Sequence, residues 1–458
     1  HHLLIGINSD ASGWFPWQPR TRHRNISSAA ARALADEVLV RFARQLAGRL
    51  APPAPALGYA LALNPAPARA VEVTLQTEHP LGFASARGEP IATAVSLVDG
   101  RWHARARLEL PAYGYRLLGL VPAVQIEPRL WSAGSEVHFG GRFARLEQGV
   151  LTAGEQEREV SISVAPFLLS DPSGVAETEQ VVPNWERAFT RVRHSIFGCD
   201  LEVFTELAWA VWLRLVLGLR EDHIEVTAEV HVDMPRRIGP LGYDPQGLLL
   251  QFASTPGAVY YDVPYATIQH QTADASFVAA QRFVALESGP AAFGLVALEG
   301  NQSFMLAGRD GVLAANLGAS TQGRPDTRPQ CIIFPDGTAE HRITSGGDPL
   351  YGSYTHRFAL VFGDHAALAM AAHRLRTLVA LVRVEPGGGY WPAARSLLDI
   401  TPDTVRVTAF RTTNDGFEIV LNDLSGAPTC VSVTGSTKQT ADLGPYGVAT
   451  LGERFSGR

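Results

Sequence analysis

The chain has 458 residues, enough by length for about three domains and for a core that buries roughly three quarters of the unfolded surface. Apolar residues make up 46% and charged residues 18%, which excludes a disordered, coiled-coil or collagen-like chain. The 39 basic against 45 acidic side chains leave a formal charge of −6 with no basic stripe or polybasic run, so neither nucleic acid nor a membrane surface is an expected partner.

The first element is Leu3-Leu4-Ile5-Gly6-Ile7, a short apolar run ahead of the polar turn Asn8-Ser9-Asp10, which reads as a buried strand. The loop over residues 11–24 carries Trp14, Trp17 and two prolines. Flat sugar faces stack on exposed indole rings, and the pair fits either that use or simple packing within the loop. Asn25 stands where a helix N-cap belongs. From there Ile26, Ala30, Leu34, Val38, Phe42, Leu46 and Leu50 recur every fourth residue, which predicts one amphipathic helix over residues 25–50, ~37 Å long. Its apolar stripe predicts self-association of the chain, so a homo-oligomer is a possible partner state.

Ala51-Pro52-Pro53-Ala54-Pro55-Ala56 ends that helix, because proline lacks the N–H and clashes with the preceding turn. Beyond it, to about residue 360, short alternating runs dominate: Val71-Glu72-Val73-Thr74-Leu75, residues 102–110, Val160-Ser161-Ile162-Ser163-Val164 and residues 223–231. Glycine, proline and Asx turns separate them, the pattern of an antiparallel sandwich. Only residues 364–381 return to helical spacing. Pro386-Gly387-Gly388-Gly389 reads as a second linker, and strands resume over residues 405–451.

Local chemistry is sparse. No nucleophile elbow, Walker loop, dinucleotide fingerprint or paired-histidine zinc helix is present. Cys199, Cys331 and Cys430 are far apart, which supports neither a disulfide framework nor a thiolate zinc site and leaves the redox compartment open. His223 and His231 fall on one side of a predicted strand but ~26 Å apart, too far to share a metal. The most apolar window, residues 204–219, is interrupted by Glu206 and Arg214 and falls short of the ~20 residues a bilayer needs. Its aromatic residues Phe204, Trp209 and Trp212 read as core. With no leader or span visible, a soluble and preferably cytoplasmic chain is expected. Lys438 is the only lysine among many arginines, a bacterial look that gives the two glycosylation sequons little weight. The opening His1-His2 reads as the remnant of an affinity tag, in which case the chain starts inside a larger protein.

Read in order, the segments resemble the carboxy-terminal half of family 38 glycoside hydrolases, the α-mannosidases. Residues 59–69, running through Asn64-Pro65, resemble the strand that opens the family's first small β-domain. Leu110-Pro111-Ala112-Tyr113-Gly114-Tyr115-Arg116 resembles the strand that closes it. Tyr260-Tyr261-Asp262-Val263-Pro264-Tyr265 resembles an aromatic-Asp-x-Pro-aromatic strand of the large sandwich. Residues 293–298, 352–360 and 447–451 are similar to later strands of the family, and the collinear order carries the resemblance.

That resemblance implies a mainly β chain of several sandwiches. The expected order is a barrel-strand end and bundle helix over 1–50, a small β-sandwich over 51–128, a large mutarotase-like super-sandwich over 129–386, and a C-terminal β-domain over 387–458. In the family, zinc in an upstream barrel binds the sugar, and a carboxylate of that barrel attacks the anomeric carbon. Asn8-Ser9-Asp10 lies at the place of the family's His-Asp pair. Asp10 matches the aspartate that contacts sugar hydroxyls, whereas Ser9 replaces the zinc-binding histidine and serine is a poor zinc ligand. The first metal motif and the nucleophile segment are missing. No catalytic residue and no metal site are therefore expected in this chain, with Asp10, Trp14 and Trp17 as sugar contacts. The expected function is a non-catalytic region completing and supporting the sugar site of an upstream barrel, with an α-mannoside-like carbohydrate as ligand. The alternative is a stand-alone carbohydrate-binding or assembly module of mutarotase-like fold.

Overall fold

A computed structural model describes residues 18–51, 53–124, 131–168, 185–207, 211–236, 246–271, 276–278, 280, 282–298, 304–320, 330–333, 339–342, 350–412, 416–435 and 437–454. Asp10, Trp14, Trp17 and Trp209 lie outside these residues. The chain is mainly β, with several sheets and two α-helices among the described residues. None of the described helices is long and apolar enough to cross a membrane.

Helix α1 spans Gln18–Ala47, so it starts ahead of Asn25, which sits inside the helix and not at its N-terminus. Pro19 lies in its first turn, where the missing N–H costs no hydrogen bond. The stripe of every fourth residue also fails as a single buried face. At 3.6 residues per turn, a spacing of four drifts about 40° per step and winds round the helix. The buried set is Ala43, Leu46, Ala47 and Leu50, with Leu39 beside them, packed on Leu61, Leu63, Tyr115 and Leu117. Leu34, Val38 and Phe42 of the predicted stripe remain 54%, 63% and 45% exposed. Three large apolar side chains in a row gain about 1–2 kcal/mol each when covered. The purified chain is therefore expected to self-associate in light scattering, and Val38→Glu to disperse it. A monomer at every concentration would refute this.

The first small unit is a sandwich. One sheet runs Ala380–Val384, Gly58–Asn64, Gly114–Pro122, Leu81–Ala84, Pro90–Ile91, with Ala394–Ser396 also on Gly114–Pro122. The other runs Arg69–Thr77, Arg101–Leu110, Thr93–Val98. Alternation along Gly58–Asn64 points Ala60 and Ala62 at the second sheet and Leu61 and Leu63 at α1, so this strand is buried on both faces. Strand Ala380–Val384 has already left the large sandwich to pair with Gly58–Asn64, before the break drawn at 386.

The expected linker is a packed crossing. Gly387 N–H donates to the carbonyl of Ala47, Trp391 N–H to Arg49 and Ala51 N–H to Trp391. A Cβ on Gly389 would sit 2.2 Å from the Arg49 carbonyl oxygen, so only glycine lets this strand of chain lie against the end of α1.

The large sandwich packs an eight-stranded sheet on a ten-stranded one around the chain's biggest core, with Leu201, Leu213, Leu215, Val226, Phe252, Phe304 and Phe358 all buried. Helix α2 (His365–Arg376), capped by the Asp364 carboxylate on Ala367 N–H at 2.8 Å, covers the outer face of the ten-stranded sheet at Phe283, Ala285 and Val296. Residues 377–379, expected as helix, lie past its end. His223 precedes strand Ile224–Arg236 and so does not share a strand face with His231. Two three-stranded sheets around Val405, Leu421 and Val431 complete the described chain.

Candidate functional site

Alternation on the ten-stranded sheet decides what its open face carries. Strands Phe189–Ser195, Gly198–Leu207, Val211–Leu219 and Ile224–Arg236 pair in antiparallel order, and Leu350–Phe362 pairs with the last. With leucines and valines turned inward, charged residues face out and meet across the strands. Glu202, 2% exposed, accepts from Arg191 and Arg214, and Arg214 reaches Glu229 at 2.8 Å. Asp200 accepts from Arg193 Nε at 2.8 Å and from Arg220 at 2.9 Å. Arg220 lies 3.4 Å from Glu225, which also pairs with Arg357 at 2.6 Å. Phe204 and Trp212, expected in the core, belong to this outer face instead. Their rings stack at 5.3 Å and 14°, and Phe189, directly across from Phe204, is 59% exposed.

Two carboxylates of this array, Asp200 and Glu225, are held ionised. Burial acts to raise Asp200, but Arg220 and Arg193 outweigh it and the net shift is downward. Glu225 likewise falls, because Arg220 and Arg357 overcome its burial. A carboxyl with a depressed folded value contributes stability above the unfolded range near pH 4 and loses it as pH drops through the folded value. The melting temperature is therefore expected to fall steeply below pH 4, and Asp200→Asn to flatten that limb. An unchanged acid limb in the variant would refute the assignment.

Where the small sandwich meets this sheet, a cleft of about 800 Å³ opens between strand Arg69–Thr77, the 220–225 turn and the end of α2. Arg107 pairs with Glu221 at 2.6 Å and Arg105 with Glu72 at 3.3 Å, while Arg105 also donates to Ser195 Oγ at 2.7 Å and lies over Phe197. His223 Nδ1 meets Asp222 at 2.7 Å. This cleft, rich in donors and acceptors, suits a hydroxylated ligand. Burial acts to raise Asp222, but His223 and then Arg107 pull its carboxyl down to about 2. Among the described residues no group of three or more His, Cys, Asp or Glu could hold a metal ion. Cys199 is inert, since burial pushes its thiol up to about 11.

The sequence reading gave none of the cleft residues a site role, although Glu72 and His223 were named on predicted strands. Each is an ordinary outward charge on its own strand, and only sheet pairing and the docking of the small unit bring them together.

No protein-family model matches the chain, and no curated protein does. Solved structures do match. An α-mannosidase from Enterococcus faecalis V583 aligns with a TM-score of 0.68 at 11% identity, over 94% of this chain and 60% of its own. A protein in the glycosyl hydrolase family 38 from Enterococcus faecalis aligns with a TM-score of 0.70 at 11% identity, over 94% of this chain and 62% of its own. The chain thus spans about three fifths of the length of these neighbours. It has the fold of a carboxy-terminal part of the family 38 glycoside hydrolases.

Proposed function

We propose that this chain is the non-catalytic helix and β-sandwich region of an α-mannosidase-like retaining glycoside hydrolase, which supports and completes the sugar site of an upstream barrel. The observation that carries this reading is the unequal coverage: the family 38 structures match nearly all of this chain, while two fifths of their own length has no counterpart in it. Retaining hydrolysis needs one protonated and one ionised carboxyl about 5 Å apart. Asp200 and Glu225 are instead locked in arginine pairs and Asp222 is paired with His223, and all three move downward, which favours a holding and contacting role. Asp10, Trp14 and Trp17 would supply the sugar contacts, and the partner would be the barrel domain or subunit.

The test is hydrolysis of a chromogenic α-mannoside by the purified chain, with and without zinc. No turnover is expected in either case. Turnover abolished by Asp10→Ala would overturn the reading. The stacked, outward Phe204–Trp212 pair favours the alternative, a carbohydrate-binding module. In that case mannan would bind the chain alone and Trp212→Ala would release it, whereas a natural polypeptide carrying a preceding barrel supports the first reading.

A further inference from the structure

We propose that the buried junction between the large sandwich, α2 and the C-terminal sheets binds a small phosphate-class oxyanion on Arg282 and Arg406. Three elements converge there. Arg282 precedes Phe283, the residue on which Ala369 and Ala372 of α2 pack, and His373 follows on the same buried turn. Leu424 joins that same cluster and donates its N–H to the carbonyl of Thr404, two residues before Arg406.

Among the described residues the carboxylate paired with these cations is Asp262. Asp262, with no exposed surface, accepts from Arg282 N–H at 2.6 Å and Phe283 N–H at 2.8 Å on Oδ1, and from Arg282 Nε at 2.7 Å on Oδ2. Several buried polar atoms here have no partner among the described residues: Arg282 Nη1, Arg406 Nε, Thr404 Oγ1 and His373 Nε2, and on the strand opposite Val405 also Asp423 Oδ1. Arg282 and His373 as whole residues are only 8% and 9% exposed. Arg69, at the edge of the junction, is satisfied by Asn64 Oδ1 and the carbonyls of Arg374 and Thr377, acceptors that carry no charge.

Among the described residues Arg282, Arg376 and Arg406 thus gather around Asp262, more cationic charge than that carboxylate alone balances. Burial, then Arg282, pushes the Arg406 guanidinium down to about 10, and burial, then Arg406, Arg282 and Arg69, pushes His373 down to about 4. Ordered water would satisfy the orphaned atoms but not the excess charge. An oxyanion does both, because its oxygens accept from guanidinium groups in short charge-assisted bonds. Asn422 Oδ1, across the strand pair from Arg406, is also without a partner and can accept an O–H from hydrogen phosphate.

The experiment is equilibrium dialysis of the whole chain against radiolabelled inorganic phosphate at constant ionic strength set with chloride. Saturable uptake of one phosphate per chain is expected, and Arg406→Gln should weaken it about tenfold or more. Arg145→Gln, which removes an exposed partner of Glu159 elsewhere, should leave it unchanged. Absence of saturable uptake by the unmodified chain overturns the proposal, as does equal loss in both variants. Should Arg406→Gln fail to fold, Arg406→Lys keeps a charge but not the guanidinium geometry, and undiminished binding by it counts against the assignment.

Discussion

Replacing Asp262 by alanine is expected to destabilise the large sandwich by about 4 kcal/mol, because it strips the buried Arg282 of its paired carboxylate. Asp262 is wholly buried and ties strand Ala258–Val263 to the start of Phe283–Glu287 through two backbone N–H groups and the Arg282 Nε. The alanine variant leaves all three donors in the interior, and each orphaned donor costs its own desolvation. Asp262→Asn keeps one oxygen for the backbone donors and loses only the charge, so about half the penalty is expected. Urea unfolding followed by tryptophan fluorescence measures both. A loss below 1 kcal/mol in the alanine variant would show that water or a neighbouring group takes over the aspartate's role.

Gly294→Ala is expected to cost about 3 kcal/mol, at the upper end for overpacking a well-filled site. A Cβ at that position would lie 1.8 Å from Leu368 Cδ2 and 2.3 Å from the Val284 carbonyl oxygen. The glycine sits on the sheet directly under α2, where Leu368 is fully buried. Combining it with Leu368→Ala removes the side-chain clash but not the one with the Val284 carbonyl. The double variant should therefore fall short of Leu368→Ala alone by only part of the Gly294→Ala penalty, a coupling that a double-mutant cycle reads directly. Additive losses would place α2 elsewhere on the sheet.

The strands were legible because period two is strict. In Ile224–Arg236 every second residue up to Val230 is apolar and buried, a pattern that a helix does not give. The helix facing was not legible from a four-residue spacing, since Leu34, Val38 and Phe42 rotate off the face that Ala43, Leu46 and Ala47 bury. Phe204 and Trp212 misled for a related reason. In an apolar run their neighbours Val203, Leu213 and Leu215 hide the alternation, which puts the aromatic pair outside and the aliphatic residues inside. The arginine–carboxylate array left no trace in the sequence, because Arg191, Glu202, Arg214 and Glu229 are partners only through strand register. Of the predicted sugar contacts, Asp10, Trp14 and Trp17 lie outside the described residues.

The pairing of Ala380–Val384 with Gly58–Asn64 bears on how the chain reaches its fold during synthesis. Tyr59 waits for Val384, which leaves the ribosome about 320 residues later. Until then Gly58–Asn64 presents an open row of amide and carbonyl groups on a strand whose side chains are buried on both faces, a template for pairing with a second nascent chain. The whole large sandwich is in effect an insertion into the small one, and the small one closes only after that insertion has folded and brought its two ends together. A ribosome stalled shortly after α2 would thus display a complete large sandwich beside a small unit lacking an edge strand, and that species is where aggregation during expression should begin.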